Sequence, residues 1–209
     1  MILLVDNRLQ KDSQTTKFSL TSKLIDYLHS LDVTLLYSTE DNIPWQNVTC
    51  IIFSGSGLRL STEDQHHSKI THALSILKQS IKHHIPCLGI CFGFQLMAYA
   101  LGFQITERSS IFNPYFSNST LTASNVYFNH KDCVMKQVHP VPLQFVDYHK
   151  DGYLLNFQYR NWTAVQWHPE NTANGTTWLK SWVRINIRHS CEHGKNHRGV
   201  ESTTTSTLT

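Results

Sequence analysis

The chain has 209 residues, 40% of them hydrophobic and 11% aromatic, enough for one domain with a full-sized core and too apolar for a disordered protein. A formal charge of +3, with Lys and Arg scattered, excludes a nucleic-acid binder, and no apolar run is long enough to cross a bilayer. The apolar opening, residues 1–5, is too short for a signal peptide, and five cysteines without framework spacing read as reduced thiols, so the expected location is cytoplasmic.

In chain order, residues 2–5 predict a buried strand, 18–31 an amphipathic helix, and 33–37 and 50–53 two further strands. A helix over 64–84 places Ile70, Ala73, Leu74 and Leu77 on one face. A strand over 87–90 then runs directly into a helix over 92–101, which Gly102 stops. This alternation predicts an α/β fold: a three-layer sandwich with a central, mostly parallel sheet and helices on both faces. After Gly102 come short strand-like runs at 103–106, 121–128, 134–138, 143–146, 153–159 and 163–167, which predict a small antiparallel margin. A last helix spans 178–187. The domain is therefore 1–187, and 188–209 reads as a polar, disordered tail. His189, Cys191, His193 and His197 in that tail fit no zinc spacing, so no metal is expected, and nothing calls for a cofactor.

The strand-to-helix junction is the chemically informative stretch. Cys91 stands between Gly89 and Gly93 in a Gly-x-Cys-x-Gly elbow, where a sharp turn leaves no room for neighbouring side chains. The turn puts sulfur at a helix N-terminus, whose dipole and free N–H groups favour the thiolate. A thiol nucleophile needs a base, and the base needs an orienting group. Gln166-Trp167-His168-Pro169-Glu170 supplies both at the carboxyl end of the strand at 163–167, the end of an α/β sheet where ligands bind. In an extended segment, a spacing of two puts His168 and Glu170 on one side. Cys50, Cys87 and Cys133 read as buried apolar residues.

Gly-Ile-Cys-Phe-Gly-Phe-Gln followed by Gln-Trp-His-Pro-Glu resembles the class I (triad) glutamine amidotransferases, whose pattern is Gly-x-Cys-x-Gly-x-Gln and then Gln-Phe-His-Pro-Glu. The strand ending Val5-Asp6-Asn7 and the loop Ser54-Gly55-Ser56-Gly57 extend the resemblance. Asn129-His130-Lys131-Asp132 is similar to the Ser-His-Gly-Asp of the amidotransferase domain of GMP synthase. The resemblance implies a flavodoxin-like sandwich and a Cys91–His168–Glu170 triad acting on L-glutamine through a γ-glutamyl thioester. It implies an oxyanion hole from the backbone of Phe92 and of the Gly55–Ser56 loop, and substrate contacts from Gln95, Asp132 and His130. Ammonia would pass to a separate synthetase, since no nucleotide-binding signature is present.

Two departures from the pattern stand out. Ser-Gly-Ser-Gly replaces a loop with Gly-Pro at its third and fourth positions, where a serine forced to positive φ is strained. The segment 108–121 lacks the glycine that covers glutamine in the family, which predicts a looser pocket or one shaped for another γ-glutamyl compound. The competing readings are a stand-alone γ-glutamyl hydrolase or peptidase and a catalytically idle binding module.

Overall fold

Four parallel strands are buried along their whole length, β1 (Ile2–Val5), β3 (Cys50–Phe53), β4 (Cys87–Ile90) and β11 (Trp162–Val165). They read as continuous apolar runs because a parallel sheet covered by helices has no solvent face. The computed structural model describes residues 1–8, 20–38, 43–62, 66–108, 115–119, 121–122, 124–136 and 141–196. In it a seven-stranded sheet runs β2-β1-β3-β4-β11-β10-β9, with β2 at Leu35–Tyr37, β9 at Gln144–Tyr148 and β10 at Leu154–Tyr159. The strands from β2 to β11 pair in parallel, and β10 and β9 form the antiparallel margin.

Side chains alternate between the two faces. Ile2, Leu4, Cys50, Ile52, Leu88 and Ile90 meet α1 (Leu20–His29) and α4 (Ala173–Asn196) through Leu24, Leu28, Leu179 and Val183. Leu3, Val5, Ile51, Phe53 and Cys87 meet α2 (Ser68–Lys82) and α3 (Phe92–Ala100) through Ile70, Ala73, Leu77, Phe92 and Leu96. The result is the expected three-layer α/β sandwich.

Two small antiparallel pairs complete the described fold. One joins β5 (Ile105–Glu107) to β8 (Asp132–Val134), and the other joins β6 (Tyr115–Ser119) to β7 (Ser124–Phe128). The strand at β6 was not expected, because Tyr-Phe-Ser-Asn-Ser carries too few apolar residues to stand out.

The last helix also departs from expectation. It begins at Ala173 instead of residue 178 and continues to Asn196, into the stretch read as a disordered tail. Its start is hidden in the sequence because Asn174-Gly175-Thr176-Thr177 are weak helix formers. Thr172 supplies the missing N-cap, its Oγ1 accepting from Gly175 N at 3.0 Å. Residues 197–209 lie outside the described residues.

Candidate active site

The chain turns from β4 into α3 at Cys91 with φ +53° and ψ −99°. That conformation costs a non-glycine residue about 1–3 kcal/mol, and it persists only where the surroundings hold it. Cys91 N donates to Val165 O at 2.9 Å, and Gln95 N donates to Cys91 O at 3.1 Å. The flanking glycines are needed for space. A Cβ on Gly89 would lie 2.6 Å from the carbonyl oxygen of Gly93, and one on Gly93 would collide with the Phe53 carbonyl oxygen.

β11 lies beside β4 in register Val165 to Ile90, which brings the segment after β11 alongside the elbow. His168 N donates to Tyr127 O at 2.8 Å. His168 and Glu170 do not share an extended strand, because Pro169 opens a 3-10 turn over Pro169–Asn171. The turn folds the carboxylate back onto the ring, and Nδ1 and Glu170 Oε1 lie 2.8 Å apart with both side chains buried. Gly175 lets α4 pack against this turn, since a Cβ there would collide with the carbonyl oxygen of Pro169.

With Nδ1 held by Glu170, Nε2 is the ring atom left for Cys91; it makes no close hydrogen bond among the described residues, and Cys91 Sγ donates to Asn129 O at 3.5 Å. Burial pushes the His168 pKa down, but Cys91 and Glu170, through charge and hydrogen bonds, outweigh it and raise the pKa to about 10. The raised pKa favours the imidazolium form of His168 beside the Cys91 sulfur. By contrast, burial pushes the Cys50 thiol up to about 12 and raises Cys87 and Cys133 as well, which makes them poor nucleophiles.

Cys91 opens onto a cavity of about 280 Å³ whose wall includes Ser56, Arg59, Gln95, His130, Lys131 and Asp132. Of the residues expected at the site, Ser56, Cys91, Gln95, His130 and Asp132 line this cavity. Phe92 is the first residue of α3, so its N–H stands free of the helix ladder directly after the nucleophile. Gly55 faces the dyad: a Cβ added there would lie 3.2 Å from His168 Cε1 and 3.8 Å from Cys91 Cβ.

Ser56 avoids the predicted strain. The described non-glycine residues with positive φ are Asp32, His84, Cys91, Phe145 and Arg160. The loop is pinned differently, with Ser56 Oγ donating to Asn7 O at 2.7 Å and accepting from Leu58 N at 3.0 Å.

Gln95 lines the cavity and also braces it. Its Nε2 donates to Asp132 O at 2.9 Å and to Gln166 Oε1 at 3.2 Å, joining α3, β8 and the end of β11. His130 Nδ1 lies 2.8 Å from Asp132 O. A carbonyl only accepts, so this nitrogen carries the proton. Burial lowers the His130 pKa to about 4, leaving a neutral ring in the cavity wall.

Sequence reasoning missed Arg59 and Ser61, both of which bind Asp132. A basic residue beside the Ser-Gly-Ser-Gly loop was the available signal. Within the segment 108–121, where the family's covering glycine is absent from the sequence, residues 109–114 and 120 lie outside the described residues.

The class-I glutamine amidotransferase family profile matches residues 12–184. The chain belongs to this family. It is 28% identical over 164 residues to a glutamine-hydrolysing GMP synthase of Petrotoga mobilis, an alignment spanning 69% of this chain and 29% of that protein. It is 29% identical over 97 residues to a candidate glutamine amidotransferase-like protein of Acanthamoeba polyphaga mimivirus, covering 44% and 47% of the two chains. The chain thus spans less than half the length of these relatives.

Among solved structures, a candidate GMP synthase subunit of Thermoplasma acidophilum superposes with TM-score 0.64 at 21% identity, over 94% of this chain and 96% of its own. A glutamine amidotransferase of Thermotoga maritima gives TM-score 0.62 at 17% identity, over 95% and 93%. At these identities the two structures establish the shared amidotransferase fold.

Proposed function

We propose that the chain hydrolyses the side-chain amide of L-glutamine and delivers the ammonia to a separate synthetase. The observation that most supports this is the buried Cys91–His168–Glu170 arrangement opening onto a small polar cavity. Cys91 thiolate attacks the amide carbon and forms the C–S bond of a γ-glutamyl thioester. The oxyanion is met by the Phe92 N–H and by the Gly55–Ser56 backbone. His168 gives its proton to the departing nitrogen as the C–N bond breaks, and ammonia leaves. Water then attacks the thioester, passing a proton through His168 to the sulfur, and glutamate is released. Glu170 holds the ring in orientation and stabilises the imidazolium. Gln95, His130 and Asp132 shape the substrate side of the cavity.

Ammonia at neutral pH is mostly protonated and a poor nucleophile, which favours transfer to an acceptor enzyme across a closed interface. The Petrotoga relative is a glutamine-hydrolysing GMP synthase, which supports an acceptor reaction fed by the hydrolysis. Four buried free cysteines among the described residues suit a reducing cytoplasm, and none of the described helices is long and apolar enough to cross a membrane.

The test is glutamate release from glutamine, with and without a candidate synthetase. Cys91→Ala abolishes release, and His168→Ala lowers it by roughly 10²- to 10⁴-fold. The synthetase stimulates the wild type. Undiminished release by Cys91→Ala, or faster hydrolysis of γ-glutamyl peptides without any synthetase, contradicts the reading.

A further inference from the structure

Asp132 is the residue the family resemblance would set against the ammonium of glutamine, yet its carboxylate is already engaged. Oδ1 accepts from Arg59 Nε at 3.1 Å, from Arg59 Nη2 at 3.0 Å and from Ser61 Oγ at 2.6 Å, while Oδ2 accepts from Ser61 N at 2.9 Å. The side chain is 2% exposed, so a ligand ammonium would have to displace a buried, charge-assisted pair to reach it.

A second carboxylate meets the same Arg59 nitrogen, Nη2. Glu107 is directly opposite Asp132 in the β5–β8 register, and Glu107 Oε1 lies 2.9 Å from Arg59 Nη2. Like charges facing each other across an antiparallel pair repel, and the guanidinium between them offsets that repulsion. The two ion pairs are unequal, because the Glu107 side chain is 60% exposed while that of Asp132 is buried. An exposed pair contributes little and exchanges readily, so Glu107 is the partner an incoming anion can replace.

The charge of the cavity wall points the same way. Its charged residues are Arg59, Lys131 and Asp132, two cations against one carboxylate that is itself paired with Arg59. The end of a ligand that lies away from the scissile amide therefore meets positive charge, and a guanidinium fork matches a carboxylate in shape.

We propose that Arg59 recognises the α-carboxylate of the γ-glutamyl substrate, with Asp132 and Ser61 positioning its guanidinium and Glu107 yielding its place to the substrate. The assignment rests on the glutaminase reading for the identity of the substrate. It differs from recognition through an Asp132–ammonium contact.

Two half-analogues of glutamine separate these possibilities. Glutaric acid monoamide keeps the carboxylate and lacks the amine; 4-aminobutanamide keeps the amine and lacks the carboxylate. Their equilibrium binding, read by calorimetry, requires no turnover. The wild type should bind the carboxylate-bearing amide roughly tenfold or more tightly than the amine-bearing one. Arg59→Met should erase that difference, and Arg59→Lys should keep part of it. Glu107→Gln, which leaves the Arg59–Asp132 pair intact, should tighten binding of the carboxylate-bearing amide by roughly two- to fivefold.

The wild-type comparison decides the matter even if Arg59→Met does not fold. Equal binding, preference for the amine-bearing amide, or binding of neither overturns the proposal. Glutamate release from glutamine is recorded on the same samples. No release together with carboxylate preference contradicts the glutaminase reading and leaves Arg59 as an anion-recognising residue, whereas release with the reverse preference contradicts the Arg59 assignment alone.

Discussion

Gly55 sits between the two reacting side chains, and its backbone is ordinary, because the described glycines with positive φ are Gly102 and Gly152. Space is what excludes a side chain there, since an alanine Cβ 3.2 Å from His168 Cε1 forces the imidazole to give by a few tenths of an ångström. Gly55→Ala should lower kcat about tenfold, because small misplacements of reacting groups are costly, while the melting temperature stays within about 3 °C of wild type. Steady-state kinetics and thermal melts on the same preparation check both.

A second residue-scale expectation concerns acid. The folded-state pKa of His130, about 4, lies below the ordinary value of 6.5, so the folded protein resists protonating this ring. Stability is then fully present above pH 6.5 and falls as pH drops toward 4, with a ceiling of about 3 kcal/mol from this group. His130→Asn should melt with a smaller loss between about pH 7 and about pH 4.5 than the wild type. The Cys91 elbow and the His168–Glu170 segment were legible in the sequence because each motif is local. Arg59 was not, because its partner Asp132 lies 73 residues away and no local pattern links them.

At the scale of elements, the strand–elbow–helix unit depends on two glycines packed against backbone. Gly93→Ala would drive a Cβ into the carbonyl oxygen of Phe53 at the end of β3, and backbone cannot rotate away as a side chain can. The expected cost is about 2 kcal/mol, or a melting temperature lower by roughly 5 °C, with glutaminase activity lost as α3 and β3 are pushed apart. A Gly93→Ala variant as stable as the wild type would show that the elbow is looser than these contacts require. The strands β1, β3 and β4 were legible to the residue, because buried parallel strands are short continuous apolar runs. The start of α4 was not, because Gly175 sits in its first turn for a tertiary reason, the close approach to Pro169.

For the whole molecule, the sheet order makes the chemistry possible. β3, β4 and β11 are neighbours, so the Ser54–Gly57 loop, Cys91 and His168 all emerge from the same end of the sheet. Alternating strands and helices predicted the layers, but no periodicity predicts that β11 pairs with β4. That adjacency is what places His168 beside Cys91.

The proposed glutaminase chemistry requires Cys91 to meet the amide carbon of glutamine, and its most direct test is covalent. A diazoketone analogue of glutamine is incubated with the folded protein, followed by peptide mass spectrometry. The predicted result is one adduct, on Cys91, with none on Cys50, Cys87 or Cys133, and protection by excess glutamine. An adduct on another cysteine, or no adduct on the folded protein, contradicts it.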